Sequence, residues 1–116
     1  MAMREAALVL LCAVTAAVAP LLEQGDRVRA RAELMEALRA HPASPDVQNF
    51  LGVVEAQDGR YAEAEAHFRQ AIRGAPRLTD AYLNLGRLYQ EGTARDPDAP
   101  GKALETYEAL LRHEPA

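Results

Sequence analysis

The sequence has very few of the residues from which disulfides, metal sites and large aromatic cores are built. Cys12 is the only cysteine, so no disulfide can form within the chain and a cysteine-rich metal site is excluded. Tryptophan is absent, and the aromatic residues are four tyrosines and two phenylalanines. Alanine and leucine therefore have to supply most of the core, which suits close contacts between helices better than the interior of a sheet.

Basic residues are also too scattered for a nucleic-acid-binding surface. The formal net charge is −4, and acidic and basic residues alternate along the chain instead of forming one basic stripe. Binding to nucleic acid needs clustered lysine and arginine that displace counterions. We therefore predict no nucleic-acid partner.

Residue patterns typical of catalysis, metal binding or phosphate binding are missing as well. His41, His67 and His113 are far apart, and none has a cysteine or carboxylate partner at metal-ligand spacing. Ser44 is the only serine, and a helix-capping role explains it. No glycine-rich phosphate-binding loop is present. The sequence predicts no catalytic residue, no metal and no cofactor, and so a protein that is not an enzyme.

Residues 6–22 carry no charge, and within them the apolar run at 7–14 is followed by small residues at 15–19. A short charged start, an apolar centre and an alanine-rich end are typical of an export signal. We predict that residues 1–19 are such a signal, with a mature chain starting near Ala17 or Val18 and a periplasmic or secreted location. The alternative is that this segment is the first helix of the fold, buried against its neighbour in a cytoplasmic protein.

The rest of the chain repeats itself with an offset of 34 residues. This offset relates Pro42 to Pro76, Gly25 to Gly59, Ala30 to Ala64, Leu34 to Phe68, Ala37 to Ala71, and Leu51-Gly52 to Leu85-Gly86. So many pairs of matching type at one offset indicate a repeat protein.

The residues at these positions resemble the tetratricopeptide repeat family. The signature residues are Leu51, Gly52, Ala64, Phe68 and Pro76 in one repeat, and Leu85, Gly86, Ala103, Tyr107 and Pro115 in the next. The resemblance implies an all-α fold, a right-handed solenoid of antiparallel helical hairpins with about two and a half to three repeats. The predicted repeats are residues 20–44 (partial or complete), 45–78 and 79–116. The last has an extended loop at 93–101 and is also similar to Sel-one-like repeats.

Several positions have a direct physical meaning. Gly52 and Gly86 lack a side chain, so the second helix of each hairpin can approach the first closely. Ser44 followed by proline and aspartate predicts a helix start. Gln48 and Glu55 stand where the family usually has large apolar or aromatic residues, and we expect a loosely packed face there.

Stacked hairpins form an extended concave surface lined by the first helix of each pair. Residues at helical spacing on these helices are the predicted partner contacts: Asn49, Val53, Gln57, Asp80, Leu83, Asn84, Arg87 and Gln90. Some family members hold a peptide's terminal carboxylate with lysine and asparagine. Asn84 fits one such place, but Asn49 and Val53 do not supply the lysine–asparagine pair of the preceding repeat.

The predicted function is a scaffold that binds a protein or peptide, in an exported or envelope assembly. Two alternatives stay open: an N-terminal accessory segment of a longer enzyme or regulator, and a structural spacer. Leu88, Tyr89, Leu104 and Leu111 are expected to form an uncovered apolar group at the C-terminal end of the stack, which predicts self-association or a longer chain.

Overall fold

Helices account for most of residues 17–113, the part of the chain that the computed structural model describes, and this part contains no strand. The helices are α1, described from residue 17 to residue 23, α2 (Arg27–Ala40), α3 (Pro45–Gln57), α4 (Tyr61–Gly74), α5 (Thr79–Glu91) and α6 (Ala99–His113). The all-α prediction is confirmed.

Short turns join these helices into hairpins. Gly25 lies between α1 and α2, and Gly59 lies between α3 and α4, with φ angles of 77° and 78°. Glycine adopts this left-handed conformation without the steric cost that other residues incur. At the start of α3, the Ser44 hydroxyl accepts a hydrogen bond from the Val47 amide and Pro45 occupies the first turn, as the sequence predicted.

The core consists of two apolar clusters along the stack. The first joins α1, α2 and α3 through Val18, Leu21, Ala30, Leu34, Ala37, Val47, Leu51 and Val54. The second joins α4, α5 and α6 through Ala64, Phe68, Leu85, Leu88, Tyr89, Ala99 and Ala103. The predicted close helix crossings are present, since a methyl group at Gly52 would overlap the Phe68 ring and one at Gly86 would overlap the Tyr107 ring.

The connection between α5 and α6 is shorter than the predicted loop at 93–101. Helix α6 already begins at Ala99, so residues 99–101 are helical. Pro100 is compatible with this because a helix needs no backbone N–H donor in its first turn. The connection folds back on the protein: the Arg95 guanidinium lies 3.8 Å from the centre of the Tyr61 ring, and Lys102 pairs with Asp96 at 3.1 Å.

The two ends of the described region bear on other predictions. Val18 is completely buried in the first core cluster, and residues 1–16, which hold most of the predicted leader, lie outside the described residues. Pro115 also lies outside them. The prediction of an uncovered apolar group is correct for two of its four residues, since Leu104 and Leu111 are exposed. It is wrong for Leu88 and Tyr89, which are buried beneath α6 and the α5–α6 connection.

Candidate functional site

Helices α3 and α5, the first helices of two successive hairpins, lie side by side and leave a groove between them. We call it the α3–α5 groove; its volume is about 260 Å³. Its lining consists of Val53, Ala56, Gln57, Phe68, Asn84, Arg87, Leu88 and Glu91. Phe68 reaches it from α4, because Gly52 leaves room for the ring between the two helices.

Helical periodicity places the lining residues on one face of α5. Asn84, Arg87, Leu88 and Glu91 are three, four and seven residues apart, so they face the same side. Leu88 supplies apolar surface at the bottom of the groove, while the other three present an amide and two opposite charges. Among the described residues, neither Arg87 nor Glu91 has an ion-pair partner, so both charges are available to a ligand.

Asn49 has a structural role that the sequence did not reveal. It is only 7% exposed, and its side-chain oxygen accepts a hydrogen bond of 3.1 Å from the Asn84 amide. This bond crosses from α3 to α5 and holds the two walls of the groove in register. Asn49 is therefore not a free contact on the surface, and Asn84 has one of its two donors already engaged.

The remaining predicted contacts lie outside the α3–α5 groove. Gln90 accepts a hydrogen bond of 2.9 Å from the Tyr107 hydroxyl on α6. Asp80 and Leu83 are exposed near the start of α5 but do not line the groove. The structure thus brings together Val53, Gln57, Asn84 and Arg87 of the eight predicted residues.

Sequence reasoning missed four lining residues as contacts. Glu91 and Leu88 could have been found, because they follow Asn84 by seven and four residues on the same helix face. Ala56 lies three residues after Val53, but small side chains give no signal of their own. Phe68 was recognised only as a packing residue, and its access to the groove depends on how α4 sits behind the other two helices.

The polar residues at the unusual repeat positions are well packed, contrary to the loosely packed face that we expected. Glu55 is 6% exposed and pairs with Arg31 at 2.8 Å. Asp58, at the end of α3, pairs with Arg27 and Arg31, each at 2.6 Å. The hydrogen bond from Arg27 is the main cause that lowers the pKa of Asp58 below its usual value. This ion cluster joins α2 to α3.

A second polar contact involves the other unusual position. The Nδ1 atom of His67 lies 2.7 Å from the side-chain oxygen of Gln48, which joins α4 to α3. Partial burial of the ring lowers the pKa of His67, although Glu55 and Glu63 oppose this shift. The histidine therefore favours its neutral form and acts as a hydrogen-bonding element of the hairpin.

The described residues offer no constellation for metal chemistry. Between residues 17 and 113, histidine, cysteine, aspartate and glutamate form no group of three that could hold a metal ion. In the same range, every helix is too short or too polar to traverse a lipid bilayer.

Comparison with known proteins identifies the repeat. A family model described as "Tetratricopeptide repeat" matches residues 21–79. Among solved structures, a mutant of MamA superimposes with a TM-score of 0.70 at 18% sequence identity, covering 91% of this chain and 74% of that one. This likeness concerns the fold alone. No curated protein matches the sequence. The repeats support a role in protein–protein interaction, and proteins of this type are generally non-catalytic scaffolds.

Proposed function

The chain belongs to the tetratricopeptide repeat family, and from this premise we propose that it binds an extended segment of a partner protein in the α3–α5 groove. The observation that carries the proposal is the combination of an apolar floor with unpaired polar groups at the rim. Phe68 and Leu88 can receive an apolar side chain, whereas Gln57, Arg87 and Glu91 surround them with hydrogen-bonding capacity.

The polar rim suits a peptide backbone better than a small apolar molecule. The Gln57 amide can donate to a carbonyl and accept from an N–H group, which are the groups that every extended peptide presents. Arg87 and Glu91 lie one helical turn apart and have opposite charges, so they favour a segment that carries both an acidic and a basic residue. The proposed activity of this groove is therefore peptide binding.

The test begins with selection of a random peptide library on the immobilised protein. Enriched peptides are synthesised and their affinity is measured by isothermal titration for the wild type and for the double variant Arg87→Glu, Gln57→Ala. Both side chains are exposed, so the fold should be retained. We expect affinity to fall by about tenfold or more, or about 1.4 kcal/mol. Asn49 and Asn84 are left intact because removing either would leave a polar partner unsatisfied.

The matched control is Arg29→Glu with Gln24→Ala, which makes the same chemical changes on exposed positions of the first hairpin. Its affinity for the selected peptides should equal that of the wild type. Equal loss in both variants, or loss in the control alone, would show that the peptides do not occupy the α3–α5 groove.

We also propose that the protein is exported, on the basis of the uncharged segment at 6–22. Val18 belongs to the first core cluster, so a mature chain that starts at Ala17 or Val18 keeps this core residue. Intact-mass measurement of the protein from fractions of its native host should give a mature start near Ala17 or Val18. An intact N-terminus on cytoplasmic protein would support the alternative, in which the segment is the beginning of α1.

We also propose that the protein self-associates, as a second mode of protein contact beside the α3–α5 groove. Leu104 and Leu111 lie seven residues apart on α6, and both are exposed in the described structure. Two leucines on one helix face offer a stripe that a second copy can cover.

A further inference from the structure

A second groove lies on the other side of α5. Helices α4 and α6 both pack against α5, and the channel that their side chains line between them has a volume of about 400 Å³. We call it the α4–α6 groove. Its floor is formed by the buried side chains of Tyr82, Leu85 and Tyr89 together with Ile72. It is larger than the α3–α5 groove and shares no lining residue with it.

The walls of this groove are basic, although the protein as a whole is acidic. Arg69 and Arg73 line it from α4, and Lys102 and Arg112 line it from α6. Glu105 is the one carboxylate among the lining residues, so the lining has a positive net charge. The entire chain, in contrast, has a formal net charge of −4. Positive charge on both walls of a cleft raises the local concentration of anionic groups.

Two of these cations are held in place by the protein itself. Arg69 donates a hydrogen bond of 2.9 Å to the Tyr89 hydroxyl and pairs with Glu65 at 3.3 Å. Lys102 pairs with Asp96 at 3.1 Å. These contacts partly neutralise Arg69 and Lys102 and fix where their charges lie along the channel.

The other two cations are free to bind a ligand. Within residues 17–113, Arg73 and Arg112 have neither an ion-pair partner nor a side-chain hydrogen bond. They stand on opposite walls, in the last turns of α4 and α6. Between them lies the Tyr82 ring, whose pKa is raised by burial and drawn down in part by the Arg112 charge. The groove thus has a free cation on each wall and an apolar floor between them.

We propose that the α4–α6 groove binds an acidic segment of a protein partner, with its carboxylates on Arg73 and Arg112 and an apolar side chain on the floor formed by Tyr82 and Leu85. Arginine pairs with carboxylates through two parallel hydrogen bonds, which gives such a contact direction as well as charge. This is a second site, independent of the one proposed in the α3–α5 groove.

The composition of the groove favours a peptide over a nucleic acid. Glu105 lies within the lining and Glu65 lies beside Arg69, and both carboxylates would repel a chain of closely spaced phosphates. A peptide can satisfy the same carboxylates with backbone N–H groups. The buried floor also requires an apolar side chain, which an acidic peptide can supply and a phosphate backbone cannot.

The experiment uses a short, end-blocked, fluorescent peptide that alternates glutamate with leucine, and its affinity for the whole chain is measured by fluorescence anisotropy. Arg73→Gln with Arg112→Gln removes both free charges without placing an anion near a helix C-terminus. We expect about a tenfold loss of affinity in this variant. A peptide with glutamine in place of glutamate should not bind.

The matched control is Arg29→Gln with Arg39→Gln, which removes two exposed arginines from α2; Arg39, like Arg73, lies in the last turn of its helix. The proposal requires wild-type affinity in this control. Equal loss in both variants would show that only the general charge attracts the peptide, and it would overturn the proposal. Tighter binding of an oligothymidylate of similar length would do the same, by making nucleic acid the occupant.

A second measurement on the wild type does not depend on any variant folding. Amide chemical shifts recorded during titration with the acidic peptide should change along α4 and α6, at the residues flanking the groove. Changes confined to α3 and the adjoining face of α5 would place the peptide in the other groove and overturn the assignment.

Discussion

Gly52 and Gly86 determine how closely the two helices of a hairpin can approach. In each hairpin an aromatic ring from the second helix occupies the space that a side chain would fill, Phe68 at Gly52 and Tyr107 at Gly86. Since interiors are packed at crystal-like density, an added group at either position has no empty volume to enter. The pair of small and large residues therefore fixes the distance between the helices.

Gly86→Leu should consequently destabilise the protein. The leucine would displace the Tyr107 ring and break its hydrogen bond to Gln90, and overpacking of this kind costs about 1–3 kcal/mol. Urea unfolding followed by circular dichroism measures the free energy of unfolding. Gly101→Leu is the matched control, because a Cβ added there meets no atom within 4 Å beyond its neighbours and its own helix backbone, and leucine favours a helix over glycine by up to about 1 kcal/mol. An unchanged Gly86→Leu midpoint would contradict the observed crossing.

At the scale of the element, the connection between α5 and α6 shows how an insertion is accommodated. The third hairpin departs from the 34-residue spacing, yet the additional residues do not extend freely into solvent. Arg95 lies over the Tyr61 ring at the start of α4, and Asp96 accepts from Lys102 and from the Asp98 amide. The connection is thereby attached to the preceding hairpin as well as to its own.

A double-mutant cycle with Arg95→Ala and Tyr61→Leu should detect this attachment. A guanidinium over an exposed aromatic ring contributes about 0.5–1 kcal/mol, and we expect a coupling of that size in the free energy of unfolding. Arg77→Ala, a change to another exposed loop arginine, should leave stability unchanged and show no coupling with Tyr61→Leu. Strict additivity in the first cycle would mean that the loop is not held by this contact.

The hairpins could be predicted because the repeat encodes them with local signals. Ser44 with Pro45 defines a helix start, Gly59 defines a turn, and the 34-residue offset transfers these assignments along the chain. The start of α6 was misplaced because the polar, proline-containing stretch at 93–101 was interpreted as loop throughout, although proline is well tolerated in the first turn of a helix.

The groove could be predicted only in part because its lining depends on contacts between repeats. Periodicity identified the face of α5 that carries Asn84 and Arg87. It could not show that Asn49 would bond to Asn84, or that Gln90 would bond to Tyr107 on α6. Those contacts follow from the rotation of neighbouring helices, which a single-sequence pattern does not contain. The burial of Glu55 beside Arg31 was missed for the same reason.

At the scale of the whole molecule, α5 separates two surfaces of different character. One side of it forms the α3–α5 groove, where the charges of Arg87 and Glu91 balance. The other side forms the floor of the α4–α6 groove, where the walls are predominantly basic. The two proposed sites would allow the molecule to hold two partner segments at once.

The exposed leucines of α6 lead to a prediction about the oligomeric state. The matching residues Phe68 and Tyr107 show that the second helices of these hairpins are offset by 39 residues. Ile72, which precedes Leu111 by this spacing, packs against the second core cluster. Leu111 is 72% exposed, so the position equivalent to Ile72 is uncovered in the described structure, and Leu104, seven residues before it, is 60% exposed. We expect sedimentation velocity at increasing concentration to show self-association that Leu104→Glu with Leu111→Glu abolishes.

The matched control is Val28→Glu with Met35→Glu. These apolar residues also lie seven apart, on α2, but their counterparts in the next hairpin, Ala62 and Arg69, are exposed. A wild type that stays monomeric, or association lost only in the control, would contradict an interface on α6.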